Sequence, residues 1–373
     1  MHASKELIKD NFIAEGQNDL KTYDRTGKMG LNMVSDDLEL QCEAAPITGT
    51  NRHNTRVVLN GHELHGKKLK LGHLKTCGCP TNHLSCITAK EWIKCQLGVW
   101  QFFYEKRDIR DKKIHPATFP ISLARKVIEL FTHQGELVLD PFVGSGTTLV
   151  AAQDTLRNAV GFDLQESYIR LCGQRIANER LFDTSNQIAI QDDARSIPKY
   201  LDEETVSLIF TSPPYANLLN RVRKNKSRRD RKNDQLGQVE QYSQDPRDLG
   251  TLAVDDYAVS MGDIFEGILP LLKPKAHCVI NVSDMWRENE RITIHVALIN
   301  ELRKRGYELR NIIIWDRTNI VNKIGIFGWP SNYITMGVTF EYLLDFWRPC
   351  PSHKICGYKT DISAPLAEEQ VEY

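Results

Sequence analysis

Net charge is the first thing this chain lacks: 48 lysines and arginines are matched by 48 aspartates and glutamates over 373 residues. No overall field draws it to a polyanion, so any such contact must come from local clustering. Long apolar runs are missing too. Nothing approaches the roughly 18 to 20 apolar residues of a membrane span, and the first thirty residues hold no run of secretory length. The expectation is a cytoplasmic, intracellular protein without membrane contact. The cysteine count is nine, not even, which argues for thiols in a reducing compartment rather than a disulfide framework. There is no internal repeat and no long low-complexity segment. What is present is ordinary for a globular protein, with 41% hydrophobic and 26% charged residues.

Regular periodicity begins near Ile121. ISLARKVIELF places Ile121, Ala124, Val127, Ile128 and Phe131 at helical spacing. ELVLD, NAVGFD, QIAIQD, VSLIF and AHCVINVSD then read as strands, separated by helical segments such as TTLVAAQDTLR and QESYIRLCGQRIANERLF. ELRNIIIWD and EYLLDFW follow as two strands without a helix between them. This alternation predicts an α/β fold: a Rossmann-like, doubly wound, seven-stranded sheet with an antiparallel edge strand. Residues 1–95 are polar and histidine-bearing, and are expected to form a small irregular N-terminal unit that contacts the partner. Residues 96–350 make the main domain, and 351–373 a tail.

DPFVGSGTT, Asp140 to Thr148, lies between the first of these strands and its helix. Gly144 and Gly146 let the backbone approach a ligand at a strand's carboxyl end. The loop lacks the third glycine of a dinucleotide fingerprint and the lysine of a phosphate-gripping loop, so neither phosphate reading fits well. Carboxylates recur instead at successive strand ends: Asp140, Asp163, then Asp192 and Asp193. A ligand with an ammonium group, a ribose and an adenine suits such a row, and S-adenosylmethionine is one. The alternative is a structural glycine turn beside solvated aspartates.

HPATFP (His115 to Pro120), DPFVGSGTT and TSPPY (Thr211 to Tyr215) together resemble the DNA amino-methyltransferases that act on exocyclic nitrogen. The likeness covers about residues 90 to 350, with the cofactor motifs preceding the catalytic one. It implies S-adenosylmethionine bound by His115, Pro116, Phe119, Pro120, Asp140, Pro141, Phe142, Gly144, Gly146, Thr147, Asp163, Leu164, Asp193 and Ala194. Ser212, Pro213, Pro214 and Tyr215 are then the catalytic turn. An exocyclic amino group is a poor nucleophile because its lone pair is delocalised into the ring. The Ser212 hydroxyl and Pro213 carbonyl can accept its hydrogens, two prolines hold those acceptors still, and Tyr215 can stack on a base that has left the duplex. Serine at the head of this motif leans toward cytosine N4, with adenine N6 and RNA bases as alternatives. Pro349-Cys350, the pair a cytosine C5 enzyme needs, lies far from this turn and is set aside.

RVRKNKSRRDRK, residues 221–232, puts eight basic side chains and one acid just after Tyr215. Within a basic segment spanning 216–255, Arg221, Arg223, Lys224, Arg228 and Arg229 are expected to hold phosphates of double-stranded DNA; the alternative is a solvated charge run. The resemblance also allows a cognate restriction endonuclease, and leaves the oligomeric state open. Cys77, Cys79, His83 and Cys86, with Cys350, His353 and Cys356, match no ordinary finger spacing. Thiols and loop histidines are the simpler reading, and no metal site is assigned.

Overall fold

The computed structural model describes residues 55–80, 82–109, 118–178, 185–216, 245–287, 290–320, 328–329, 333–334 and 336–350. The strands are β1 (Thr55–Val58), β2 (Val99–Gln101), β3 (Leu137–Asp140), β4 (Asn158–Asp163), β5 (Gln187–Gln191), β6 (Val206–Thr211) and β7 (Leu272–Val282). Then come β8 (Met285–Arg287), β9 (Glu290–Ile292), β10 (Glu308–Asp316), β11 (Gly328–Trp329), β12 (Tyr333–Ile334) and β13 (Phe340–Trp347). The helices are α1 (Ala89–Cys95), α2 (Lys106–Ile109), α3 (Ile121–Phe131), α4 (Thr147–Asp154), α5 (Glu166–Asn178), α6 (Val254–Ile268) and α7 (Ile294–Lys304).

Nine strands form one sheet in the order β1-β5-β4-β3-β6-β7-β13-β10-β2; β8–β9 and β11–β12 are separate pairs. The ladder is parallel except at β13, which runs antiparallel to both β7 and β10. Side chains alternate across the sheet. Leu137, Leu139, Val160, Phe162 and Ile188 face a core shared with α6 and α7. Val138, Ala159, Ala189, Leu208 and Phe210 face the opposite core, against α3, α4 and α5. All four residues of β3 are buried, as a central parallel strand covered on both faces requires. Removing each such Leu or Phe side chain from water is worth about 1.5–3 kcal/mol.

The expected alternation and the antiparallel strand are present, with two corrections. Among the described residues the sheet carries nine strands where seven were expected, because the short β1 and β2 extend its two edges. Strands of three or four residues lack enough alternation to stand out in a sequence. The antiparallel strand is also not at the edge, since β13 inserts between β7 and β10.

The described residues on both sides of the boundary expected near residue 95 fall within one compact unit, Thr48–Tyr373. β1 pairs in parallel with β5, and the following strap runs along the amino edge of the sheet. Along it, Leu69 N donates to Tyr200 O (2.7 Å), Thr76 N to Gln134 O (2.8 Å), Asn158 Nδ2 to Gly72 O (3.0 Å) and Lys273 Nζ to His73 O (2.6 Å). Gly135, at φ +83°, lets Thr76 pass where a Cβ would meet its Cγ2 at 2.5 Å. These are backbone and side-chain bonds between distant segments, invisible to local periodicity.

Among the described residues, no helix is long and apolar enough to cross a membrane. Cys77, Cys79, Cys86, Cys95, Cys172 and Cys278 are free thiols, whereas Cys350 is disulfide-bonded, against the expectation of thiols throughout.

Candidate active site

Strand order reverses around β3: β4 and β5 lie on one side, β6 and β7 on the other. Ligands of doubly wound sheets bind at the carboxyl ends beside such a switch point. A cleft of about 500 Å³ opens there. Because β3 and β6 are parallel neighbours, the glycine loop after Asp140 and the turn after Thr211 share this cleft. Thr211 Oγ1 donates to Asp140 Oδ1 at 2.6 Å, tying the two strand ends together.

The cofactor side is built from β3, β4 and β5. Gly146 caps α4 at φ +83°, with α5 so close that an added Cβ would sit 2.3 Å from Cys172 Sγ. Only glycine allows both the backbone conformation and the contact. Gly144 N donates to Asp163 Oδ2 (3.1 Å) and Gln165 N to Asp163 Oδ1 (2.8 Å), so the loop is pinned by the acid that ends β4. Burial pushes the Asp163 carboxyl up to about 7 despite those two donors, and the nearby Asp248 and Asp140 push the same way.

At the end of β5, Asp193 accepts from Arg195 N (2.8 Å) and Arg195 Nη1 (2.9 Å). Asp192 is opposed by burial, yet bonds from Tyr200 Oη (2.6 Å), His65 (2.8 Å) and Asp193 N (2.7 Å) hold its carboxyl below the usual range. Phe119, Pro141, Phe142, Leu164 and Ala194 supply apolar wall. Among the described residues the cleft is therefore lined by carboxylates without a lysine. Of its arginines, Arg195 pairs with Asp193, Arg247 with Asp245 and Arg317 with Glu341. Such a wall repels phosphate and suits a cation that also carries hydroxyl and amino donors.

On the catalytic side, Asn281 from β7 donates to Ser212 Oγ (3.3 Å) and to Glu341 Oε2 (2.7 Å). Tyr215 Oη lies 3.5 Å from Ser212 Oγ and donates to Glu341 Oε2 at 3.3 Å. Arg317 Nη1 closes the network on Glu341 Oε1. Glu341, on β13, is 7% exposed, so its charge is held by Arg317 and not by water. Burial pushes the neighbouring Tyr104 phenol up to about 12, leaving a neutral hydroxyl that donates to Thr118 O at 2.8 Å.

The cleft unites Phe119, Pro141, Phe142, Gly144, Thr147, Asp163, Leu164, Asp193 and Ala194 with Ser212, Pro213, Pro214 and Tyr215. Three expected residues support it from behind. Asp140 lies beneath the loop, 2% exposed and bonded to Thr211 and Phe142 N, so it fixes the loop in place of lining the cleft. Pro120 caps α3, and Gly146 caps α4. His115, Pro116 and the basic residues Arg221, Arg223, Lys224, Arg228 and Arg229 lie outside the described residues. Sequence reading missed Asn281, Arg317, Glu341 and Tyr104. Each is a lone polar residue in or beside an apolar strand; the Glu in EYLLDFW and the Asn in CVINV were the available signals.

The fold and cleft define a Rossmann-like α/β protein with a site for a cationic, nucleoside-like ligand. Residues 63–174 match the model of a DNA methylase family, a segment that holds the glycine loop but ends before Ser212. The Type II methyltransferase M.BglI of Bacillus subtilis is 35% identical over 91 residues, 24% of this chain and 25% of that protein. M.MjaI of Methanocaldococcus jannaschii is 31% identical over 103 residues, 26% of this chain and 32% of the other. The putative methylase YubD of Escherichia coli K12 is 46% identical over 63 residues, 17% and 28% of the two chains. The matched stretch thus spans only about a quarter to a third of each relative's length.

Proposed function

We propose that this protein is an S-adenosylmethionine-dependent DNA methyltransferase acting on the exocyclic N4 of a flipped cytosine. The observation that carries the reading is the juxtaposition of the acidic glycine-loop pocket and the Ser212 to Tyr215 turn in one cleft. The residues present fit the cofactor. Asp163 offers a carboxylate for ribose hydroxyls, Asp193 one for the adenine amino group, and the acidic wall offsets a sulfonium and an ammonium. When bound, S-adenosylmethionine supplies an electrophilic methyl group on a positively charged sulfur.

The protein's own part is positioning. Ser212 Oγ and the Pro213 carbonyl accept the hydrogens of the target amino group and favour the pyramidal form whose lone pair is free. The prolines hold those acceptors before the base arrives, which lowers the reorganisation that transfer requires. Tyr215 is held by Glu341 through its hydroxyl, so its ring is oriented before the base arrives to stack on it. Glu341 and Asn281 position this turn from β13 and β7. The basic residues 221–232 then contact the phosphates flanking the flipped base, and the N-terminal hundred residues and the segment from Gln235 to Thr251 are the two candidate regions for reading sequence.

Adenine N6 is the second reading, since the same acceptors serve either amino group. Incubation with DNA and methyl-labelled cofactor, followed by digestion to nucleosides and mass analysis, tests the proposal. N4-methylcytosine supports it and N6-methyladenine replaces the base assignment. Label in RNA with none in DNA overturns the DNA assignment.

A further inference from the structure

At the amino edge of the sheet, away from the cleft, four soft ligands converge. Cys77, Cys79 and Cys86 belong to the strap, and His133 to the turn between α3 and β3. One ligand atom from each lies within 4.8 Å of all the others. Cys77 Sγ is 3.3 Å and Cys86 Sγ 3.6 Å from His133 Nδ1. Tetrahedral zinc, with Zn–S of about 2.3 Å and Zn–N of about 2.0 Å, places sulfur and nitrogen about 3.5 Å apart and sulfurs about 3.8 Å apart. The two sulfur–nitrogen distances bracket the first of these values, and the remaining separations lie within 4.8 Å.

We propose that Cys77, Cys79, Cys86 and His133 form a closed, structural zinc site that clips the strap to the amino edge of the sheet. The surroundings are arranged as a metal site demands. His133 Nε2 lies 2.9 Å from His83 O; donation to that carbonyl fixes the tautomer that turns the Nδ1 lone pair toward the sulfurs. Gln134 N donates to Cys86 Sγ at 3.4 Å, a bond that stabilises a thiolate. The buried guanidinium of Arg157 acts electrostatically on Cys86 and Cys77.

Binding forms three Zn–S bonds and one Zn–N bond, displaces the thiol protons to solvent and changes no oxidation state. The site then carries one net negative charge, which Arg157 opposes. A fourth protein ligand leaves no position for water or substrate, so the role is structural and independent of methyl transfer. Three thiolates with an imidazole favour zinc over harder ions.

This departs from the sequence reading, which assigned no metal and grouped His83 with the cysteines. His83 contributes its backbone carbonyl, and the ligand is His133, 47 residues beyond Cys86. No local spacing reveals it.

The full chain, purified without chelator, should contain about one zinc per molecule by elemental analysis. Cobalt exchange should give thiolate charge-transfer bands and the intense d–d absorption of a tetrahedral site. His133→Ala and Cys77→Ser should lose the metal while His83→Ala keeps it. Should those variants fail to fold, stepwise modification of wild-type thiols by a mercurial should release zinc to a chromophoric chelator in step with loss of three cysteines. A metal-free protein that takes up neither zinc nor cobalt overturns the proposal, as does a Cys77–Cys86 disulfide by mass mapping, stoichiometric iron, or loss of metal in His83→Ala alone.

Discussion

The two edges of the sheet treat polar groups differently. At the amino edge, buried polar side chains are bonded to other parts of the protein. Arg157 donates to Thr132 Oγ1 (3.1 Å), Thr132 O (2.7 Å) and Thr155 O (2.5 Å). Asn158 bridges Gly72 and Gly135, and Gln187 donates to Arg157 O. At the carboxyl edge, carboxylates are drawn into a cleft where burial raises Asp163 to about 7. A carboxylate that burial makes costly to ionise and that also lines a cleft is placed to gain from a partner supplied by a ligand. The amino edge should therefore govern stability and the carboxyl edge function.

The sharpest way to break that contrast is Arg157→Ala. It leaves two buried carbonyls and a hydroxyl without a donor, a loss of about 3 kcal/mol or more in unfolding free energy. Denaturant titration should show the loss, while methyl transfer per folded molecule stays at the parent value. Wild-type stability in this variant would dissolve the comparison. Ser212→Ala is the mirror experiment. Removing one preorganised acceptor should lower methyl transfer about 10²-fold, with the unfolding free energy moving by no more than about 0.5 kcal/mol. Full turnover would show that the turn has been assigned the wrong part.

The same contrast explains what was legible in the sequence. The helix at Ile121–Phe131 and the strand at Asn158–Asp163 have the bounds that periodicity predicts, because burial of one face or both is written locally. The strand-end acids were legible for the same reason: each closes a run of buried residues. Glu341, Asn281 and Arg317 come from three separate strands or strand ends and meet only once β13 has slipped between β7 and β10. That insertion follows from register and packing across the sheet, which no window of sequence contains. His133 escaped notice in the same way, being set beside Cys77 by the strap's bonds along the amino edge.

Asp163 gives a smaller effect with a definite sign. Its folded pKa is raised, so below about 7 the empty protein holds a proton there. A ligand that binds the carboxylate must displace that proton. Affinity for S-adenosylmethionine should thus be level above about pH 7 and weaken up to tenfold per unit below it, through this group. Calorimetry near pH 6 in buffers of different ionisation enthalpy should detect proton release on binding, and Asp163→Asn should abolish both the release and this part of the pH slope. In the empty protein the sign is opposite. The raised pKa adds stability at low pH that is lost between about 4 and 7, so the Asn variant should flatten that decline. A pH-independent affinity in the parent would move the carboxylate out of the ligand's reach.

The smallest effect probes where the functional edge continues beyond Tyr215. Arg228 and Arg229 belong to the basic run that begins six residues after it. If they hold phosphates beside the flipped base, replacing both with alanine removes two counterion-releasing contacts. The slope of log affinity against log salt should flatten by about 2, equally on specific and unrelated duplexes, since phosphate contacts carry no sequence information. Stability should not move. A changed specificity ratio at constant salt slope would mean that these side chains read bases, and the division between a turn that reacts and a run that only holds would have to be redrawn.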